Sequence, residues 1–411
     1  AGRRLSSVDC LDIMNIIGKI VVAGNVRRSA QIALGDYDDI EFLRAKRWDL
    51  GNIPNWRAMS NNSVVCDDIS KLPEDFWEGY KGNGEPYGLI NLKASRRMGR
   101  TGDTQYPDPN VQGYNPCAEQ SLENFETCCL AEVYLPNIET YDELRKVLRY
   151  LYRVNKHSLA IPCAIKETED IVHRNMRMGI GVTGYLQASE EQKSWLDKAY
   201  TYLRAYDKEY SEIHGFPPSI KLTTVKPSGT LSLLAGVTPG AHPGYSQYYI
   251  RRIRMATDSE LARVARSNGY HVEYVRNFDG TEDHSTVVVS FPCSFPEGTQ
   301  FADDMSACDQ LDVIRRLQAE WSDNSVSVTI YYRKEELEAI RWWLHDHYID
   351  TKSVSFLLHS DHGFDQAPLE EITKEQYEEM KDGVTPITSL DKLSLDEIEI
   401  DNCDTGACPV R

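Results

Sequence analysis

The sequence predicts an α/β fold: segments with helical apolar spacing alternate along the chain with short β-rich runs, and the two longest helical segments begin at capping residues. Thr140 followed by Glu143 is a capping-box pattern, after which Leu144, Val147, Leu148 and Leu151 recur at helical intervals. Ser189 and Gln192 open a second segment that carries Trp195, Ala199, Leu203, Tyr206, Tyr210 and Ile213 on one face and stops at Gly215 and Pro217-Pro218. A further helix is expected around Lys374 to Lys381. Strands are expected at Thr286 to Val289, Val326 to Tyr332 and Val354 to Leu358, runs rich in β-branched and aromatic residues. Such buried strands suit an open sheet and a closed barrel equally. There is no internal repeat.

At 411 residues the chain can form one large α/β domain or two or three ordinary ones. Its 41% apolar and 26% charged residues are those of a globular protein, and no apolar run approaches the roughly 18 residues of a membrane span. The net charge of −18 disfavours non-specific attachment to nucleic acid or to an anionic membrane, so an anionic ligand needs a local site. Ten cysteines are too sparse for a disulfide scaffold, and no signal peptide is evident, which points to a reducing, cytoplasmic setting. The first residues, Ala1-Gly2-Arg3-Arg4-Leu5, lack an initiator Met, and the expectation is a chain that begins within a longer protein. Composition divides it into a main body, residues 1–381, and an acidic tail, residues 382–411, with few large apolar side chains.

The densest chemical signal is Asn115-Pro116-Cys117-Ala118-Glu119, followed by Cys128-Cys129, in a stretch whose prolines and Gly113 indicate a loop. A Cys with a carboxylate two residues after it and an amide two before can present a sulfur redox centre, a proton acceptor and an orienting hydrogen bonder to one small volume. An isolated Cys is more often a small buried hydrophobe. A second signal is Pro227-Ser228-Gly229-Thr230 with Leu231 and Ser232, placed between an apolar run, Leu222 to Val225, and the apolar stretch Leu231 to Val237. Strand, tight turn and helix N-terminus in that order leave backbone N–H groups unpaired for an anion. A third is Cys403 and Cys408 in the tail. No second Cys/His pair lies near enough to complete a zinc site, whereas a disulfide closing so small a loop gains little from chain entropy and exchanges readily, as a redox dithiol must.

Taken with the order of its motifs, the chain resembles the ribonucleotide reductases. Asn115-Pro116-Cys117-Ala118-Glu119 is similar to their finger loop, and Gly24-Asn25-Val26-Arg27-Arg28-Ser29-Ala30, Pro227-Ser228-Gly229-Thr230-Leu231-Ser232, Trp321-Ser322-Asp323-Asn324 and the Cys403/Cys408 tail follow in the family's order. One departure is Ala118, where Gly is common; it adds a methyl group. The resemblance implies the C-terminal part of a ten-stranded α/β barrel with the finger loop inside, plus a flexible redox-shuttle tail. It implies that Cys117 becomes a thiyl radical and takes the 3′-hydrogen, that Glu119 handles the 3′-hydroxyl proton, and that Asn115 orients the ribose. Cys128 would be one thiol of the reducing pair. Ser228, Gly229, Thr230, Leu231 and Ser232 would hold substrate phosphates, and Cys403 and Cys408 would carry electrons from a thioredoxin-like partner.

Within that family, class I enzymes pass a radical through adjacent tyrosines on a late strand. Tyr248-Tyr249 and Tyr331-Tyr332 are candidates, but the late strand is better matched by Lys352-Ser353-Val354-Ser355-Phe356, which has no phenol at the two positions. The resemblance therefore favours class II, dependent on adenosylcobalamin, and most closely the monomeric kind that takes ribonucleoside triphosphates. A class I large subunit, a non-catalytic or split half that needs an N-terminal partner, and a plain thiol-disulfide carrier are the competing readings. Cys10 and Cys66 precede the finger loop and neither matches the family context for the thiol that meets Cys128; that thiol and the deoxynucleotide effector site are expected in an N-terminal region. Cys129, Cys163, Cys293 and Cys308 read as structural thiols, and the ten histidines show no ligand spacing.

Overall fold

The computed structural model describes residues 2–22, 29–276, 281–359 and 366–388. The Gly24 to Arg28 part of the first motif and the Cys403/Cys408 pair lie outside the described residues. In chain order the strands are β1 (Gln31–Asp36), β2 (Ser60–Val65), β3 (Gly88–Ile90), β4 (Gly113–Tyr114), β5 (Ser121–Leu122), β6 (Leu130–Tyr134), β7 (Gly179–Thr183) and β8 (Thr223–Thr224), then β9 (Tyr248–Ala256), β10 (His271–Arg276), β11 (Glu282–Ser294), β12 (Thr329–Tyr332), β13 (Ser353–Leu358) and β14 (Leu369–Glu371).

A five-stranded sheet runs in the order β1-β2-β3-β13-β12 and a three-stranded sheet in the order β6-β7-β8. A parallel bridge between Val225 and Val326 joins them into one wall. Pairing is parallel throughout this wall except between β3 and β13, where two parallel sets meet antiparallel. β1 and β6 are its edges among the described residues. A separate antiparallel sheet, β10-β11-β9-β14, packs its own small core of Met255, Leu261, Val287 and Val289. The predicted Thr286 to Val289 run is the middle of β11.

Both predicted helix starts form. Thr140 caps the helix Tyr141–Ser158 by accepting from the Glu143 N–H at 3.2 Å, although Glu143 reaches back to the Glu139 N–H instead of that of Thr140. Ser189 and Gln192 make the reciprocal box that opens the helix Glu190–His214, which ends at Gly215 with φ 71°. The two helices cover the β6–β7 face, burying Leu144, Leu148 and Tyr152 against Trp195, Leu196 and Leu203 in the main core.

The Trp321-Ser322-Asp323-Asn324 segment is wholly buried and fastens this wall together. The Asp323 carboxylate accepts from the backbone N–H groups of Leu222 (3.0 Å) and Thr223 (2.8 Å), from Tyr200 Oη (3.2 Å) and from the Arg204 guanidinium (2.6 Å). Burial alone would raise this carboxyl, yet Arg204, the Lys221 ammonium and the backbone donors hold it below the usual range. From the other side, Lys352 Nζ donates to the carbonyls of Gly99 (2.7 Å), Asp323 (2.7 Å) and Asn324 (3.0 Å). Asp323→Ala should therefore leave Arg204 buried without its counter-ion and lower unfolding free energy by about 3–5 kcal/mol. Denaturant titration measures this; a loss under about 0.5 kcal/mol, the level of an ordinary surface change, would show that the segment fastens nothing.

Candidate active site

The finger-loop residues 115–120 span the tip of the β4–β5 hairpin, in which Tyr114 pairs with Ser121. The loop closes on itself: the Asn115 N–H donates to the Gln120 carbonyl (3.1 Å), the Gln120 N–H to Asn115 Oδ1 (2.9 Å) and the Ala118 N–H to the Asn115 carbonyl (2.8 Å). Ala118 sits at φ 60°. Left-handed backbone costs a residue with a Cβ about 1–2 kcal/mol, so the departure from Gly adds backbone strain as well as a methyl group. Something else must hold the loop in shape.

Side chains from the wall do so by gripping successive carbonyls. Asn61 on β2 donates to the Pro116 carbonyl (3.3 Å) and Ser327 to that of Cys117. Ser353 on β13 donates to the Ala118 carbonyl (3.3 Å), and Thr224 on β8 to that of Glu119 (2.8 Å), which also accepts from the Ser325 N–H (3.1 Å). The loop is thereby registered against three strands. Cys117 is left exposed, while Glu119 is buried with its Oε2 lacking a hydrogen-bond partner.

Cys128 is brought to the same place. Gln120 accepts from the Cys129 N–H through Oε1 (3.2 Å) and donates to the Cys129 carbonyl through Nε2 (3.3 Å), clamping the segment before β6 to the finger loop. Although Cys128 reaches solvent, the protein crowded around its sulfur and the Glu119 carboxylate push the thiol up, with Lys226 drawing it partly back. Burial likewise pushes the Glu119 carboxyl up; the Asn115 amide and the Lys226 ammonium offset part of the rise and the Glu132 carboxylate adds to it. Lys226 Nζ itself lies 2.5 Å from Glu132. Cys128, Glu119, Lys226 and Glu132 thus form one electrostatic group beside Cys117. Cys129 packs against the main core, as expected, and burial pushes its thiol up to about 11. Cys163, Cys293 and Cys308 are only partly buried.

The predicted phosphate turn follows β8, but its parts face different ways. Ser228, at φ 45°, donates its hydroxyl to Glu132, as does Thr183 at 2.6 Å, so Ser228 is engaged on the Lys226 side. Gly229 and the buried Ser232 open onto a pocket beside β9. Thr230 and Leu231 are exposed. The helix that begins the apolar stretch Leu231 to Val237 spans only Leu231–Ala235, because Gly236 turns left-handed at φ 65°. On the late strand, Ser355 donates to the Val328 carbonyl and Phe356 packs between Tyr80 and Tyr332, so no phenol stands at either position.

No protein-family model matches the chain. Individual proteins do. An adenosylcobalamin-dependent ribonucleoside-triphosphate reductase of Euglena gracilis is 38% identical over 422 residues, covering 98% of this chain and 56% of that protein. The protein of the same name from Lactobacillus leichmannii is 34% identical over 458 residues, covering 100% of this chain and 61% of the relative. A solved B12-dependent (class II) ribonucleotide reductase superposes with a TM-score of 0.78 at 31% identity, over 97% of this chain and 60% of that one. The chain is a homologue of the class II ribonucleotide reductases. It spans 56–61% of the length of these reductases. The α subunit of a class Id ribonucleotide reductase from Actinobacillus ureae shares the fold alone, with a TM-score of 0.57 at 16% identity. Among the described residues no helix is long and apolar enough to cross a membrane.

The raised Glu119 carboxyl has a measurable consequence. A carboxyl whose pKa is higher in the folded state stabilises the fold fully below its ordinary value, about 4.3, and loses that contribution as pH rises through the raised value. Glu119→Gln has no such titration. The unfolding free energy of wild type relative to Glu119→Gln should therefore fall as pH is taken from about 4 to 8; a difference independent of pH would mean that the carboxyl is not desolvated.

Proposed function

We propose that this chain carries the catalytic part of an adenosylcobalamin-dependent reductase that converts ribonucleoside triphosphates to 2′-deoxyribonucleoside triphosphates for DNA synthesis. The observation that carries the reading is the hairpin loop itself, which presents an exposed thiol, a buried carboxyl and an amide within five residues, beside a second thiol. The similarity to reductases of that name supports the substrate and the cofactor.

In this reading Cys117 takes the 3′-hydrogen of the ribose and later returns it. Glu119 accepts the 3′-hydroxyl proton, a task suited to a carboxyl lifted towards neutrality by burial. The Asn115 Oδ1 is occupied in closing the loop and its amide nitrogen acts on the Glu119 carboxylate, so the two groups would meet the ribose together. Overall the 2′-hydroxyl leaves as water, and a dithiol containing Cys128 gives up two electrons and two protons and becomes a disulfide. Adenosylcobalamin supplies, when bound, the one-electron oxidising chemistry of a breaking cobalt–carbon bond. The residues present fit that need: Cys117 is exposed at the loop tip, and the late strand offers Ser355 and Phe356 where a tyrosine relay would require phenols.

The thiol that pairs with Cys128 and the deoxynucleotide effector site are assigned to an N-terminal region, a reading favoured by the share of the reductases that this chain spans. Cys403 and Cys408 would re-reduce the active-site disulfide and be reset in turn by a thioredoxin-like protein. The low cysteine density suits a cytoplasmic location.

Cys117→Ser tests the reading in the complete protein. An O–H bond is too strong to exchange hydrogen with the ribose as a thiol can, so reduction should be lost while nucleotide binding stays near wild type. Turnover by the serine variant within about tenfold of wild type, equivalent to under about 1.4 kcal/mol of barrier, would remove Cys117 from the chemistry.

A further inference from the structure

Four arginines of the described residues are buried: Arg47, Arg177, Arg204 and Arg251. Three of them have a carboxylate at 2.6 Å, namely Asp49, Asp108 and Asp323. Arg251 has none. It is 8% exposed, its Nε is buried without a hydrogen-bond partner, and its guanidinium makes no ion pair among the described residues. Its neighbour Arg252 also has an unpartnered Nε, but its guanidinium pairs with Glu370 at 2.5 Å and donates to the Ala367 carbonyl at 3.0 Å. A guanidinium does not shed its proton to escape burial, so an unpaired one is costly unless an anion arrives.

The position of Arg251 says which anion. It projects from β9 into a pocket that Gly229 and Ser232 of the phosphate turn also line, together with Tyr245 and Tyr249. Among the described residues no carboxylate lines this pocket, whereas the acidic Glu132 lies against Ser228 and is neutralised by Lys226. A guanidinium fork with free N–H groups matches a phosphate oxygen pair.

We propose that Arg251 is a specificity-determining residue that binds the terminal phosphate of a ribonucleoside triphosphate whose inner phosphates rest on the turn Ser228–Ser232. This rests on the reading of that turn as the substrate-phosphate site. Arg251 then separates triphosphate from diphosphate substrates, because only the longer chain reaches its charge. The phosphodiester in the nucleotide tail of cobalamin is the other source of the same chemistry.

The test uses the complete protein and its Arg251→Ala and Arg251→Lys variants. Affinities are measured for a ribonucleoside triphosphate, the matching diphosphate and inorganic tripolyphosphate, and cobalamin binding is followed by corrin absorbance. Wild type should prefer triphosphate at least tenfold. Arg251→Ala should lose that preference through weaker triphosphate and tripolyphosphate binding, with diphosphate within about twofold and cobalamin unchanged. Arg251→Lys, which keeps the charge and most of the packing, should recover part of the preference and serves if the alanine variant does not fold. Equal losses for both nucleotides, no loss, or a loss confined to cobalamin would each overturn the proposal. Tripolyphosphate binding that depends on Arg251 in a protein that reduces no nucleotide would leave the anion site standing and remove the reductase reading instead.

Discussion

The loop that carries Cys117 and Glu119 is held by its backbone carbonyls, and the rest of the site depends on that grip. Four consecutive carbonyls, from Pro116 to Glu119, are each bound by a side chain from elsewhere in the wall: Asn61, Ser327, Ser353 and Thr224. The strain at Ala118 is tolerable because these bonds over-determine the loop. They can act only if the strands supplying them keep their register, which is the work of Asp323 and Lys352 behind them. Lys352 is so enclosed that burial pushes its amine well below the ordinary lysine range, and its three carbonyl partners tie β13 to the Asp323 segment. A fully buried ionic knot thus lies directly behind the Cys117 loop.

The same arrangement explains the chemistry of the two flanking groups. Cys117 projects from a tip whose backbone cannot drift, while Glu119, two residues on, is turned into the wall and desolvated. The Gln120 clamp on Cys129 then sets Cys128 near the Glu119 carboxyl without any direct bond between the two reactive groups. A thiol pushed up by its surroundings stays protonated and able to give hydrogen, as the role proposed for Cys128 requires.

Much of this was legible in the sequence where the cause is local. Capping residues and helical periodicity mark the two long helices because each depends on neighbours three or four positions away. The Asn115 to Glu119 motif is legible because its three functional groups are adjacent in the chain. Nothing local marks Gln120, Glu132, Lys226, Ser327, Ser353 or Arg251. Ser327 meets Cys117 and Ser353 meets Ala118 across more than two hundred residues, and a serine in an apolar strand looks like any other small residue. Arg251 could not be told from its paired neighbour Arg252, since two adjacent arginines carry no local sign of which one lacks a partner. The helix after the phosphate turn is short although its leucines look like a core face, because Gly236 stops it and leaves Leu234 81% exposed.

The most direct measurement compares turnover with nucleotide affinity in a Ser327→Ala, Ser353→Ala variant of the complete protein. Both hydroxyls hold the finger loop by its carbonyls without being placed on the substrate, so removing them frees the backbone at Cys117 and Ala118. A shift of about 1 Å at reacting atoms can cost on the order of a hundredfold in rate. If carbonyl anchoring positions Cys117, reduction should fall at least tenfold while the dissociation constant for nucleotide stays within about twofold. A folded double variant that reduces ribonucleotides at the wild-type rate would contradict it.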